Sequence, residues 1–425
     1  MMQNSKFRTA FAAGAFMAAS AVLGSAAQAA PAATAPLSPA QQQAQTIAEG
    51  QYLAIAGDCA ACHTGPGGAP YAGGVVLHTP FGSLVGSNLT PDKATGIGSW
   101  TDNQFVNAVK YGIGHDGERL FPGMPYVYFN NVSRADILKI RAYLATLPPV
   151  HNEIKSDQLH FPFNIRAGLI GWDLMYFANK GDYQPVPTQS AAWNRGAYLV
   201  QGLEHCALCH TDKNMAGADR TGQELQGYAV DGWNAPSLAD DASGIGTWSV
   251  QDIATYLKTG HNAYADATGP MGEAIALSTS HLSDADLTDI GLYLKSVHGS
   301  GAPRPAPLPA SLPVMQEGAK IYATTCAACH TAAGVGLPGM FPALKASPIV
   351  QADDPLTVIR VVLHGARSVA TPAVPSPMAM PAFGGALEDG QVAAVLTYIR
   401  NSWGNAAPAV TAAEVAKQRA SGTAD

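Results

Sequence analysis

The 425-residue chain is 47% apolar and only 13% charged, a globular composition on a chain too long for one hydrophobic core. Its 24 basic and 31 acidic residues leave a formal charge of −7 with no basic stripe, which excludes nucleic acid as a partner. All six cysteines require an explanation.

Residues 1–29 read as a signal peptide. Lys6 and Arg8 precede an apolar run from Ala10 to Leu23, and small residues surround Ala27-Gln28-Ala29, a cleavage site of the A-x-A type. The alternative is a retained N-terminal anchor, but the run is short for a bilayer span. Export places the mature chain in a periplasm-like compartment, where an even cysteine count ordinarily signals disulfides.

The spacing says otherwise. A first unit over 44–150 opens with a helix carrying Gly50 and Tyr52, followed by Cys59-Ala60-Ala61-Cys62-His63. Thr101-x-x-Gln104 then caps a helix with Phe105 and Val109 on its apolar face, and Gly112 stops it. After Met124, a last helix starting near Ser133 carries Ile137, Ile140 and Leu144 at helical spacing, with Tyr143 among them. Residues 151–189 form a linker with an unusually apolar stretch, Phe161 to Phe177. That stretch either packs between neighbouring units or serves as a docking or membrane-surface element.

A second unit over 190–299 repeats the order. Gly196 and Tyr198 precede Cys206-Ala207-Leu208-Cys209-His210. Ser249-x-x-Asp252 caps a helix with Ile253 and Leu257, which Gly260 ends, and Met271 lies before a last helix from Ser283 through Leu287, Ile290, Tyr293 and Leu294. Residues 300–313 hold five prolines and act as a stiff spacer. The third unit, 314–405, carries Gly318, Tyr322, Cys326-Ala327-Ala328-Cys329-His330, Gly365, Met378, Met380 and a last helix from Glu388 with Val392, Val395, Tyr398 and Ile399. The tail, 406–425, reads as loose. Without sustained period-two alternation, the fold class is all-α, in three tandem units.

Every cysteine falls in a C-x-x-C-H run, the pattern of covalent haem attachment. Two thiols three residues apart on one helical turn reach the two haem vinyl groups, and the adjacent histidine supplies the proximal nitrogen. Structural zinc needs four ligands per site, which no isolated run supplies. Cys59, Cys62, Cys206, Cys209, Cys326 and Cys329 are thus expected to bind three haems c, with His63, His210 and His330 on the irons. Met124 follows His63 by 61 residues, and Met271 follows His210 by the same interval. This equality selects both as distal ligands from eleven methionines. In the third unit Met380-Pro381 matches Met124-Pro125, so Met380 is preferred over Met378. His/Met ligation leaves no open iron position, so no catalytic residue is expected and a peroxidase reading is disfavoured.

With three such units the sequence resembles the cytochrome c subunits of membrane-bound, quinone-reducing dehydrogenases, the gluconate 2-dehydrogenase and quinoprotein alcohol dehydrogenase type. The resemblance rests on Gly57-Asp58-Cys59 through Thr64, Asn88-Leu89-Thr90-Pro91-Asp92, Phe121-Pro122-Gly123-Met124-Pro125-Tyr126, Gly269-Pro270-Met271 and Thr397-Tyr398-Ile399-Arg400-Asn401-Ser402-Trp403. It implies class I cytochrome c domains in which the opening and closing helices cross, Gly50 with Tyr143, Gly196 with Tyr293 and Gly318 with Tyr398. It also implies a non-catalytic electron-transfer subunit on the periplasmic side of the cytoplasmic membrane. Its partners would be a dehydrogenase catalytic subunit, ubiquinone and the membrane surface. A free periplasmic multihaem carrier is the alternative. One departure is Asp212-Lys213-Asn214, where relatives carry Pro-Arg-Asn, altering the charge beside the second attachment site.

Overall fold

A computed structural model describes residues 36–155, 157–230, 232–241, 244–299 and 305–422. The expected signal peptide lies outside the described residues, as does the start of the proline-rich spacer. The first segment contains α1 (Pro39–Ala56), α2 (Cys59–His63), α3 (Asp102–Tyr111), α4 (Tyr126–Phe129), α5 (Arg134–Leu144) and α6 (Gly168–Tyr176). The second contains α7 (Ala191–Tyr198), α8 (Ala207–His210), α9 (Val250–Thr259), α10 (Gly269–Leu277) and α11 (Asp284–Leu294). The third contains α12 (Pro313–Ile321), α13 (Ala327–His330), α14 (Pro348–Gln351), α15 (Leu356–His364), α16 (Asp389–Arg400) and α17 (Ala412–Ser421).

Local chemistry explains where these helices begin and end. Thr101 with Gln104, and Ser249 with Asp252, form reciprocal capping boxes at the starts of α3 and α9. Ser133 and Ser283 accept the backbone N–H groups of Asp136 and Asp286, opening α5 and α11. Gly112 and Gly260 close α3 and α9 in the left-handed conformation, at φ +60° and +83°.

One packing device recurs in all three segments. A Cβ placed at Gly50 would overlap the Lys139 carbonyl and press on the Tyr143 Cβ. At Gly196 it would meet the Asp289 carbonyl and Tyr293, and at Gly318 the Ala394 carbonyl and Tyr398. The opening and closing helices therefore cross backbone against side chain, at the residue pairs that the resemblance implied.

The fold is helix-rich, as expected, and among the described residues it also carries three small antiparallel sheets. β1 (Val76–Thr79), β2 (Gly82–Val85) and β3 (Asp157–Leu159) form one, β4 (Tyr228–Val230) and β5 (Trp233–Ala235) a second, β6 (Ala366–Arg367) and β7 (Ala379–Met380) a third. Strands of two to four residues are too short to show alternation in sequence.

The cores divide unequally. Leu53, Phe129, Ile137 and Leu144 share one continuous apolar cluster with Leu199, Leu203, Ile253 and Leu287, so the first two segments are built around a common core. The third has its own, with Ile321, Val358, Val392, Val395 and Val415. Val415 belongs to α17, where a loose tail was expected. A Thr411–Glu414 capping box starts this helix, and Arg419 ties it to Asp389 and to the Leu387 carbonyl. Arg400, fully buried, donates to the carbonyls of Val350, Ala352 and Pro408, so its guanidinium ties two backbone stretches to α16.

Candidate functional site

The three C-x-x-C-H runs fold as single helical turns. Cys59 and Cys62 lie on α2; Cys206 and Cys326 stand immediately before α8 and α13, which carry Cys209 and Cys329. None of the six cysteines is in a disulfide. Burial, then the Asp58 charge, pushes the Cys59 thiol up to about 12, and burial raises Cys326 to about 11.

The histidines share one arrangement. His63 Nδ1 lies 2.7 Å from the Ser87 carbonyl, His210 Nδ1 2.7 Å from that of Pro236, and His330 Nδ1 3.0 Å from that of Pro342. A carbonyl only accepts, so each Nδ1 carries the proton and each Nε2 keeps its lone pair for a metal. Burial lowers all three pKa values, opposed by these same hydrogen bonds, which favours the neutral, ligating form.

Beside α2 the fold encloses a cavity of about 320 Å³. Cys59, Cys62 and His63 line it together with Met124 and Pro125, and Trp100, Phe105 and Leu144 add apolar wall. The donor set fits a covalently attached haem. It combines two thiols on one turn, an imidazole of fixed tautomer and a thioether in the same apolar crevice. Leu203 and His205, from the second segment, also line this cavity. The stretch leading into the second attachment run therefore forms part of the wall of the first pocket.

Met271 lies on α10, half-buried against the shared core. Gly269 precedes it at φ +56°, where a Cβ would strike the Trp233 indole. In the third segment Met380, on β7, packs against the local core, whereas Met378 is 41% exposed. The two candidates thus differ in burial. The second and third segments meet through loops near these methionines. Val369 donates its N–H to the Ala267 carbonyl at 3.0 Å, and a Cβ at Gly272 would touch Val369.

A scan of family models identifies cytochrome c over residues 47–148 and 315–403. The cytochrome c subunit of alcohol dehydrogenase (quinone) from Gluconacetobacter polyoxogenes is 36% identical, with 88% of this chain and 84% of that protein aligned. The gluconate 2-dehydrogenase cytochrome c subunit of Pantoea cypripedii is also 36% identical, over 88% and 89%. This chain belongs to the family of dehydrogenase cytochrome c subunits. A nicotinate dehydrogenase subunit of Pseudomonas putida is 39% identical over 86% of this chain, which spans only 31% of that longer protein.

In this cytochrome subunit the partial burial of several charged groups escaped the sequence reading. Asp58 directly precedes Cys59, and His205 directly precedes Cys206; both adopt positive φ, 47° and 35°. Burial, then the charge of Glu273, raises the Asp58 carboxyl to about 8. Burial, then the charge of Asp58, raises Glu204 well above the carboxylate range, while burial lowers His205 to about 4. The available signal was positional, because each charged residue lies next to or near an attachment cysteine. The departure at Lys213 is neutralised locally: its ammonium pairs with Asp219 and donates to the Ala207 carbonyl at 2.9 Å and the Tyr128 hydroxyl at 3.2 Å.

Proposed function

We propose that this chain is the electron-transfer subunit of a periplasmic dehydrogenase complex, carrying electrons from a separate catalytic subunit to ubiquinone in the membrane. Three haems c are assigned to three cytochrome domains, 44–150, 190–299 and 314–405, joined by 151–189 and 300–313, with 1–29 removed on export. Cys59 and Cys62, Cys206 and Cys209, and Cys326 and Cys329 hold them. His63 with Met124, His210 with Met271, and His330 with Met380 ligate the irons. When bound, the haem iron supplies a one-electron couple at a potential raised by the thioether ligand.

The observation that carries this reading is the threefold repetition of a C-x-x-C-H turn whose histidine Nδ1 is held by a backbone carbonyl. The chain's own residues fix the imidazoles, bury the crevices and place the two cysteines of each run on one helical turn. The relatives, the alcohol dehydrogenase (quinone) subunit above all, support a quinone acceptor and a catalytic partner. The first two attachment runs lie side by side, since Leu203 and His205 line the first pocket and a Cβ at Gly57 would touch Leu203, which supports a relay.

The test is purification from membranes in mild detergent, followed by haem quantitation, subunit mass analysis and quinone-reductase assays with gluconate, ethanol and nicotinate. Three haems per chain, a larger catalytic subunit and substrate-dependent quinone reduction are expected. A lone trihaem protein that exchanges electrons only with soluble partners would establish the free carrier instead. A haem count other than three would overturn the domain assignment.

A further inference from the structure

The stretch that joins the first two segments, from His160 to Phe177, is exposed rather than packed away. Phe161 is 79% exposed, Leu174 84% and Met175 69%, and Phe163, Ile165 and Ile170 are exposed beside them. Such a concentration of large apolar side chains on one element is uncommon on a soluble surface. The segment is nevertheless held firmly from behind. Leu169 and Asp173 are buried; the Asp173 carboxylate accepts the Tyr126 hydroxyl at 2.8 Å and pairs with Arg119 at 3.1 Å. The Phe163 ring meets Phe81 at 4.7 Å, and the Trp172 indole donates to the Ala216 carbonyl at 2.9 Å.

We propose that the outward face of α6 and the turn before it rest on an anionic lipid bilayer, with the first haem-attachment pocket directly behind them. The proposal rests on the quinone-reducing reading above and specifies the face and the pocket that meet the membrane. Charge favours lipid as the occupant. The protein carries −7 overall, yet between residues 158 and 181 the only acid is Asp173, which is turned inward. Lys180 is exposed at one edge of the patch and the nearest acid beyond it, Asp182, is paired with Lys110, so an apolar face without an outward free acid stands on an acidic protein. Trp172 and Tyr176, whose rings pack 5.5 Å apart, supply the amphipathic aromatics that settle at a headgroup boundary. No helix among the described residues is long and apolar enough to cross a membrane, so contact through them is peripheral.

The inner side of the same element braces the first pocket. Tyr126, clamped by Asp173, lies two residues after Met124, and the Arg166 guanidinium stacks over the Phe121 ring at 4.9 Å. Phe121, Arg166 and Met124 all line the cavity beside α2. Only this layer separates the apolar face from that cavity, which makes the first pocket the one presented to a membrane quinone.

The experiment uses the haem-loaded full chain and sedimentation with vesicles of phosphatidylcholine alone or mixed with phosphatidylglycerol. Wild-type protein is expected to bind the mixed vesicles more tightly. The double variant Leu174→Glu, Met175→Glu should lose about tenfold or more in binding, given the apolar area withdrawn. Lys180→Glu should weaken binding to the mixed vesicles only. Unchanged haem spectra would show that these exposed substitutions leave the fold intact. Wild-type protein that ignores vesicles, or a double variant that binds as well as wild type, overturns the proposal. So does a double variant that keeps vesicle binding but loses the catalytic subunit in detergent-free pull-down, which would make the face a protein interface. Vesicle binding by a protein that fails to reduce quinone would instead refute the quinone-reducing reading and leave this surface standing.

Discussion

The Tyr52 hydroxyl donates to the Asp286 carboxylate at 2.5 Å, joining residues 234 positions apart, and a reciprocal bond from Tyr198 reaches Asp136 at 2.6 Å. Each phenol also accepts the N–H of a helix-capping serine, Ser283 for Tyr52 and Ser133 for Tyr198. The opening helix of each of the first two segments therefore reaches the start of the other's closing helix. The pairing is self-complementary, as in a twofold dimer made from one chain. Tyr322, placed four residues rather than two after its helix-crossing glycine, instead donates to the Thr331 carbonyl within its own segment.

This junction predicts an acid-sensitive stability. Burial alone would raise the Asp286 carboxyl, but bonds from Arg195 and Tyr52 outweigh it and the net shift is downward; Asp136 behaves likewise through Tyr198 and Lys139. A carboxylate lowered on folding stabilises above its unfolded pKa of about 3.9, and that stability is lost as pH falls through the folded value. Asp286→Asn is expected to cost about 1–3 kcal/mol at pH 7, toward the lower end because Arg195 is partly solvent-screened. Urea unfolding at neutral and acid pH checks this. The penalty should shrink at low pH, and a variant as stable as wild type at pH 7 contradicts it.

The helix crossings predict a steep cost for a single methyl group. At Gly196 a Cβ meets the Asp289 backbone carbonyl, which cannot rotate away as a side chain does. Gly196→Ala should therefore destabilise by about 1–3 kcal/mol or more through overpacking. Gly390→Ala, in the first turn of α16 with no atom near its Cβ position, should be neutral or slightly stabilising. Thermal unfolding of both distinguishes close approach from a general intolerance of substitution.

The methionine assignments are checked one pocket at a time. Met124→Ala, Met271→Ala and Met380→Ala should each retain covalent haem but remove one share of the sulfur-to-iron charge-transfer absorbance. One midpoint potential should fall by roughly 0.1 V or more, within the span of about 0.8 V that axial ligands cover. Met378→Ala, at an exposed position, should change neither reading. Unchanged spectra after any of the first three substitutions would reassign that ligand.

The clamp behind Met124 predicts a local effect on one site. Asp173→Asn should weaken the Tyr126 hydrogen bond and the Arg119 pair, costing about 1–3 kcal/mol and loosening thioether ligation in the first pocket alone. Redox titration should show one potential altered and two unchanged. Loss at all three sites would mean that Asp173 serves global folding rather than the Met124 loop.

Short-range chemistry made much of this protein legible from sequence. The attachment runs, capping boxes and stop glycines are set by neighbours within a few residues. The crossing glycines were implied by the family resemblance, and Met124 and Met271 were selected as candidates because a repeated unit keeps its intervals. The capping box that starts α17 was equally local, at Thr411 and Glu414, and was passed over because the surrounding composition is polar and alanine-rich. The sheets escaped because strands of two to four residues have no period to detect.

Other features depended on residues brought together from far apart. The Tyr52–Asp286 bond, the entry of Leu203 and His205 into the first pocket and the partial burial of Asp58 and Glu204 arise only when two segments close on one core. The Phe161–Phe177 stretch shows the division most clearly. Its apolar content was plain in the sequence, but burial and exposure predict the same residues. Only the inward turn of Leu169 and Asp173 decided which side chains face out, because a buried carboxylate must find its partners, here Tyr126 and Arg119, inside the fold.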